Sequence, residues 1–350
     1  MPMPRRATRR TVCRSVASVG SLAVAGVAGC LRRSRTRLLV GVGPAGSRSY
    51  EAGQALAFTV DRHSDTVEIV IRETADPRER LRAIDNGRIS AVGVDNTTLY
   101  RVHNDIAPFD ETTIETVPQQ GFSYGRLEQC WLTTTNGLDS TADLHTGGWS
   151  LYPVQPGFRS RLATEQLLRE TALWEPNEIH HVPVEQVPAA IDAGEIEVVA
   201  VSNTNGQQLA DWCRELNQQV GDQLRPLSVG DEFAAATETA PNTIPVDADT
   251  TGFVRASLPE TISGWAVPSQ WLFSPAVDPA VSEEIARIVA EHGETLVQAD
   301  PLAGGWTASE PMGEAVISDY PIHPGVAAFF EERDLFDDGW QRGEHDADSQ

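Results

Sequence analysis

The sequence predicts an α/β fold built as two halves of similar architecture. Three observations predict it. From Leu38 onward, short apolar runs alternate with helix-like segments, as parallel strands joined by helical crossovers would. The same strand–turn–helix order returns over residues 125–225, without a sequence repeat. The length, 350 residues with a 40% hydrophobic fraction, is enough for one large domain or two medium ones with real cores.

The elements follow in order. Leu38 to Val42 is a short apolar run suited to a buried parallel strand. A turn with Gly41, Gly43 and Gly46 leads into a helix over Tyr50 to Thr59, with Ala52, Ala55 and Leu56 on its core face. Thr66 to Ile71 is the second strand. Asp76-Pro77 starts a helix as cap and first-turn proline, and Asn86-Gly87 stops it. Ile89 to Val94 is the third strand, ending in Asp95-Asn96-Thr97-Thr98.

Residues 105–124 hold Pro108, Pro118 and Gly121 and read as a segment crossing between halves. Leu127 to Thr135 is a strand, Leu138 to Leu144 a helical turn and Trp149 to Val154 another strand. A second glycine turn, Gln155 to Ser160, opens a helix with Ser160 as its cap. Strands at Ile179 to Val184 and Ile196 to Val201 flank a helix at Val187 to Ala193. The later strand ends in Asn203, Thr204 and Asn205, and another helix runs to about Asn217.

Residues 230–260 are polar and proline-broken. Ile262 to Leu272 reads as one long strand or a strand pair, and Pro279 to Leu296 as a helix. Tyr320 to Gly325 is a rigid turn before a last helix, Val326 to Arg333. The tail from Phe336 is acidic and expected to fray.

Charge is distributed unevenly. The net charge is -23, yet no acidic residue precedes Glu51 and nine arginines fall within residues 1–37. The chain has no lysine, and 18 arginines face 50 Asp and Glu beyond residue 37. An acidic surface of this kind excludes nucleic-acid binding, which needs clustered basic residues. It fits a halophilic protein, whose self-repulsion strong brine screens.

The N-terminus reads as an export signal. Arg9-Arg10 is a twin-arginine pair, and Ser15 to Gly29 is an uncharged apolar stretch too short for a membrane span of about 20 residues. It ends at Val27-Ala28-Gly29-Cys30, like a lipobox with Cys30 as the lipidated residue. Residues 1–29 are thus expected as signal peptide and 30–37 as a lipidated tether on the outer face of the cell membrane. Cys130 and Cys213 remain, as two free buried thiols or as a disulfide.

Four places resemble the TAXI family of TRAP-transporter solute receptors. They are Gly41 to Tyr50, Gly87 to Asn96, Asp143 to Arg161, and Pro321-Ile322-His323-Pro324-Gly325, the most specific. Ser47 and Arg48 stand where the family has glycines, and Phe158 and Arg159 replace its Ser and Gly. The resemblance implies a two-lobed periplasmic-binding-protein type II fold, each lobe a mixed sheet flanked by helices. It also implies an extracytoplasmic receptor that hands a small metabolite to a TRAP membrane permease, while the chemistry of the helix starts and their arginines gives the expected ligand, a carboxylate such as an amino acid or dicarboxylate. No catalysis and no cofactor are expected. Lobe 1 is expected over 38–124 and again over 226–336, lobe 2 over 125–225, and an acidic tail over 337–350. Hinge crossings are expected near residues 105–124 and 224–232.

Helix N-termini and strand ends supply the candidate ligand residues. Turns before helices offer free N–H groups and positive dipole ends, which suit carboxylates. On that ground Gly46, Ser47, Arg48 and Tyr50 form one wall, and Gly157, Arg159, Ser160 and Arg161 the other. Any of the three arginines can clamp a carboxylate or pair with a surface acid. Asp95, Asn96 and Thr97, and Asn203 and Asn205, lie at strand ends where open α/β sheets bind ligands, or cap the next helix.

Rival motifs have weaker contexts. Gly41 to Gly46 matches a dinucleotide fingerprint, but NAD is not expected outside the cell. Gly121-Phe122-Ser123-Tyr124-Gly125 matches a hydrolase elbow, giving an exported serine hydrolase using Ser123 as the enzymatic alternative. Pro118 precedes it and a strand-like run follows, where an elbow needs strand then helix. A sensory or interaction module of the same fold is the third reading. His323, and His180-His181, read as structural.

Overall fold

The structure, a computed structural model, describes residues 35–110, 114–156, 160–306 and 309–347. The twin-arginine pair and Cys30 lie outside them. In the first half the elements are β1 (Thr36–Val42), α1 (Arg48–His63), β2 (Val67–Glu73), α2 (Pro77–Asp85), β3 (Ala91–Asp95) and α3 (Asn96–His103). A long strand, β4 (Gln119–Thr133), leads to β5 (Ser150–Tyr152), α4 (Ser160–Glu170), β6 (Glu178–Ile179), α5 (Val187–Asp192), β7 (Val198–Thr204), β8 (Gln208–Leu209) and α6 (Asp211–Val220). Then come β9 (Arg225–Leu227), α7 (Asp231–Thr239), β10 (Ile244–Asp249) and a second long strand, β11 (Thr261–Phe273). The chain ends with α8 (Pro279–Glu291), α9 (Gly293–Ala299), α10 (Ser309–Met312), β12 (Pro321–Ile322), α11 (Pro324–Glu332) and β13 (Gln341–Arg342).

Local chemistry sets the boundaries. Ser47 caps α1 by accepting from Tyr50 N, and Asp76 caps α2 by accepting from Glu79 N, with Pro77 following. Such a cap stabilises by about 1 kcal/mol. Helix α1 buries Ala52, Ala55, Leu56, Thr59 and Val60 along one face, extending the expected helix by a turn at its end. Asn86 closes α2 and Gly87 takes φ +65°, where a side chain would be strained.

Strand order defines the architecture. The main path is β2-β1-β3-β11-β4-β7-β5-β6. β1 pairs β2 and β3 in parallel, and β5 pairs β6 and β7 in parallel. The two long strands, antiparallel to each other, sit between these sets. The late part of β11, Ser269 to Phe273, pairs antiparallel with β3, while β4 from Leu127 to Thr133 pairs antiparallel with β7. Each half therefore has three parallel strands in the order second–first–third, followed by an antiparallel strand that the other half also uses. This is the two-lobed type II periplasmic-binding-protein fold, each lobe a mixed sheet with helices on it.

Separate cores confirm the two lobes in side-chain terms. Leu38, Val40, Leu56, Trp271, Ile285 and Phe330 belong to the core of lobe 1, which has a smaller second cluster around Leu81, Val92 and Leu272. Trp131, Tyr152, Val199, Leu216, Phe233 and Trp265 belong to that of lobe 2.

Three boundary expectations need correction. Residues 226–265 do not return to lobe 1, because Leu227, Phe233, Ala248, Ile262 and Trp265 are buried in the lobe 2 core. Residues 224–232 are accordingly no crossing, since β9 pairs with β4 inside lobe 2. The crossings are β4 and β11 themselves, and their register shifts at Ser269/Gln270, beside Gly125. Nor does the tail hang free. Trp340 packs at a tilt against Phe330 and edge-on against Phe336, Gly343 N donates to Ile322 O at 2.7 Å, and β13 pairs with β12.

The Pro321–Gly325 turn fixes α11 against α8. His323 is fully buried, with Nδ1 2.7 Å from Ser282 Oγ and Nε2 3.1 Å from Val277 O. Burial pushes its pKa down to about 4, so it is neutral near pH 7. A Cβ on Gly325 would lie 1.8 Å from Pro279 O, which is why only glycine fits.

Candidate functional site

The C-terminal ends of the parallel strands in both lobes converge on the crossing strands. There they enclose a cavity of about 140 Å³. Its lining comes from Arg48 at the start of α1, Asp95 between β3 and α3, Arg126 and Leu127 on β4, Ser160 at the start of α4, Thr204 ending β7, and Val267 and Ser269 on β11. Open α/β sheets place ligands at this position, because helices begin and strands end there.

Both cavity arginines carry ion pairs. Arg48 Nη2 pairs with Asp300 Oδ2, and its buried Nε–H has no hydrogen-bond acceptor. Arg126 donates from Nε to Glu128 Oε1 at 2.8 Å and from Nη1 to Glu314 Oε1 at 2.5 Å. Desolvation by burial raises the Glu314 pKa, against the opposing pull of Arg126. The other polar groups on the lining are the Asp95 carboxylate and the hydroxyls of Ser160, Thr204 and Ser269; Leu127 and Val267 are its apolar part.

Hydrogen bonds bridge the lobes near this cavity. Asn205 Nδ2 donates to Leu302 O at 2.6 Å, Arg101 Nη2 to Leu162 O at 3.3 Å, and Asn242 Nδ2 to Thr97 Oγ1 at 3.1 Å. The two lobes are therefore in contact around their cleft.

Of the expected ligand residues, Arg48, Asp95 and Ser160 meet at the cavity. Gly157 and Arg159 lie outside the described residues. The others have structural tasks. Ser47 caps α1, while Gly46, at φ +83°, shapes the turn before it. The amides of that turn serve the protein's own side chains, Gly43 N donating to Ser49 Oγ at 2.9 Å and Ala45 N to Glu73 Oε2 at 3.1 Å. Tyr50 packs against the lobe 1 core. Asn96 Nδ2 donates to Ala315 O, and its Oδ1 accepts from Gln270, both at 2.8 Å. Thr97 accepts the bridge from Asn242.

In lobe 2, Arg161 pairs with the largely buried Glu165 one helical turn on, at 2.6 Å. Asn203 donates to Asp249 O at 2.9 Å and accepts from Gly206 N at 2.8 Å, closing the turn after β7. Asn205 accepts from Arg126 N at 2.7 Å besides bridging to Leu302. Asp95 also caps α3, accepting from Thr98 N and Thr98 Oγ1 at 2.9 Å each. Ser160 is the first helical residue of α4 in place of its cap.

Arg126, Leu127, Val267 and Ser269 were not foreseen. They lie mid-strand, and only the recognition of β4 and β11 as crossings identifies them. Ser123, by contrast, is 1% exposed within β4, and its Oγ accepts from Ala315 N at 2.8 Å, so it forms no elbow. Cys130 and Cys213 are free and buried, and burial raises both thiol pKa values, Cys213 to about 12. No group of three or more potential metal ligands occurs among the described residues, nor does a helix long and apolar enough to cross a membrane.

The class these observations define is a two-lobed, type II binding-protein fold with an interlobe cavity. No protein-family model and no curated protein matches the chain. Among solved structures it is similar to the periplasmic aliphatic sulphonate binding protein SsuA from Escherichia coli. That match has 14% identity and a TM-score of 0.44, and covers 88% of this chain and 96% of the other. It is also similar to a TctC solute binding protein from Polaromonas, at 15% identity and a TM-score of 0.49, covering 77% and 89% of the two chains. The fold assignment rests on the strand order and the two cores.

Proposed function

We propose that the protein is an extracytoplasmic solute receptor that takes a small carboxylate-bearing metabolite, an amino acid or dicarboxylate, between its lobes. The observation that carries this reading is the convergence of two guanidinium groups, Arg48 from lobe 1 and Arg126 from a crossing strand, on one interlobe cavity. Guanidinium forks match carboxylates in geometry and charge. The Arg48 Nε–H, buried without an acceptor, is a donor such a ligand would satisfy. Leu127 and Val267 favour a short apolar stem.

The action is binding and lobe closure about β4 and β11, with no covalent step. Delivery to a TRAP-type membrane permease, assignment to the TAXI family, twin-arginine export, a lipid anchor at Cys30 and a halophilic habit complete the proposal. They are supported by the signal-like N-terminus, the lipobox, the lysine-free acidic composition and the Pro-Ile-His-Pro-Gly turn.

The test is a thermal-shift screen of the full chain in detergent and molar KCl, against amino acids, dicarboxylates, neutral sugars and polyamines. A ligand at a hundred times its Kd adds about 2.7 kcal/mol, or about 4 °C for a domain of this size. A carboxylate that produces such a rise supports the reading. A screen in which only neutral sugars or polyamines shift the transition would sink it.

A further inference from the structure

We propose that Asp300 and Glu314 are built-in competitors for the ligand's carboxylate, so that the receptor's affinity is set by exchange of one anion for another. The proposal rests on the carboxylate-receptor reading above and says how that site is tuned.

Both residues belong to the lobe 1 segment between α9 and β12, and each covers one cavity arginine. Asp300 divides its two oxygens between two tasks. Oδ1 accepts from Leu302 N at 3.1 Å and holds the local turn, while Oδ2 pairs with Arg48. The acid's side chain is only 5% exposed, against 22% for Arg48, so the carboxylate is the buried member of the pair. Glu314 reaches Arg126 from the far side of the sequence at 2.5 Å.

A second partner of Arg126 differs in kind. Glu128 lies two residues along the same strand and is 3% exposed in its side chain, so it travels with Arg126 as a fixed neighbour. Glu314 is carried by a separate segment. That segment is pinned next door, where Ala315 N donates to Ser123 Oγ at 2.8 Å and Ala315 O accepts from Asn96 and Gln270. The backbone beside Glu314 is thus fixed, while its side chain is 28% exposed and so reaches toward water. Burial, which raises the Glu314 pKa against the pull of Arg126, makes its charge costly in place.

An incoming carboxylate therefore meets guanidinium groups that already hold anions. Binding gains only the difference between two similar charge-assisted contacts, and a ligand with two carboxylates can replace both residents at once. Removing a resident charge while keeping its shape should tighten binding. Asp300→Asn keeps the Oδ1 acceptor for Leu302 N, and Glu314→Gln changes a partly exposed group.

Calorimetric titration of the full chain in detergent and molar KCl, with succinate and L-glutamate as probes, tests this. At least one probe should bind at least tenfold more tightly to D300N or E314Q than to the wild-type chain, and R48Q should abolish the gain in the D300N background. A merely structural role would weaken binding when disturbed. If the wild-type chain binds a probe and neither variant binds more tightly, the competitor proposal fails while the receptor reading stands. If neither probe binds to the wild-type chain or to the variants, the carboxylate reading itself fails, and the proposal with it.

Discussion

Acid should weaken this fold through His323 in a way that one substitution can isolate. The imidazole is fully buried, and burial holds its pKa at about 4, against 6.5 for a free side chain. Between those values the unfolded chain binds a proton that the folded chain refuses. Stability from this group is therefore complete above about pH 6.5 and is lost as pH falls toward 4. A difference of about 2.5 units is worth about 3 kcal/mol. Burial explains the refusal. Nε2 faces Val277 O and Nδ1 faces Ser282 Oγ, whose hydroxyl can also turn to Pro279 O at 3.1 Å, so the ring's partners tolerate a second proton and it is the loss of water around the charge that excludes it. The assay is denaturant unfolding of wild type and His323→Gln in molar KCl at half-unit steps from pH 7 to 4. Carboxylates titrate alike in both, so they cancel in the difference. The wild-type chain should lose about 3 kcal/mol more than the variant across that range. Parallel curves would refute the argument that the buried ring is neutral and proton-excluding.

Two further predictions concern the same fold. Gly325→Ala places a methyl 1.8 Å from Pro279 O and 2.3 Å from Ser282 Oγ, so α11 must move away from α8. Overpacking of this kind costs about 1–3 kcal/mol, seen as a melting temperature lower by about 2–5 °C, and an unchanged melt would mean that the turn is looser than described. The acid excess beyond residue 37 predicts that melting rises from 0.1 to 1 M KCl, as the screening length falls from about 10 to about 3 Å. A melt that is flat or falling with salt would remove the halophilic reading.

The sequence made one half of the architecture readable and hid the joins. Parallel strands such as β1 and β3 are buried on both faces, so they stand out as apolar runs, and Asp76-Pro77 and Asn86-Gly87 mark helix ends by backbone chemistry. The start of β4 was hidden because Gln119, Gln120 and Ser123 are polar. Their side chains are buried on distant partners, Gln119 on Glu344 O, Gln120 on Ile317 O and Tyr320 O, and Ser123 on Ala315 N, which no local pattern reveals. Helix α7 buries only Phe233 and Thr237, too little apolar periodicity to be seen among the polar residues 230–260.

The site was legible where a helix start or a strand end supplied it. Arg48, Asp95 and Ser160 line the cavity by that rule, and Thr204 joins them from the end of β7. The rule fails for Asn96, Asn203 and Asn205, because amides at such ends satisfy nearby backbone groups. Arg126 was out of reach, since its role depends on β4 running through both lobes. Glu314 is separated from Arg126 by 188 residues in sequence and Asp300 from Arg48 by 252, so only the folded chain brings these pairs together.

The central claim is that Arg48 and Arg126 hold a carboxylate ligand between the lobes. It is tested most directly by calorimetric titration of the wild-type chain and the Arg48→Gln/Arg126→Gln double variant with the carboxylate that shifts melting most. Loss of both guanidinium groups leaves the ligand carboxylate facing the cavity acids without a countercharge, and should weaken binding by about tenfold or more, about 1.4 kcal/mol. Equal affinity in a double variant that still folds would contradict it.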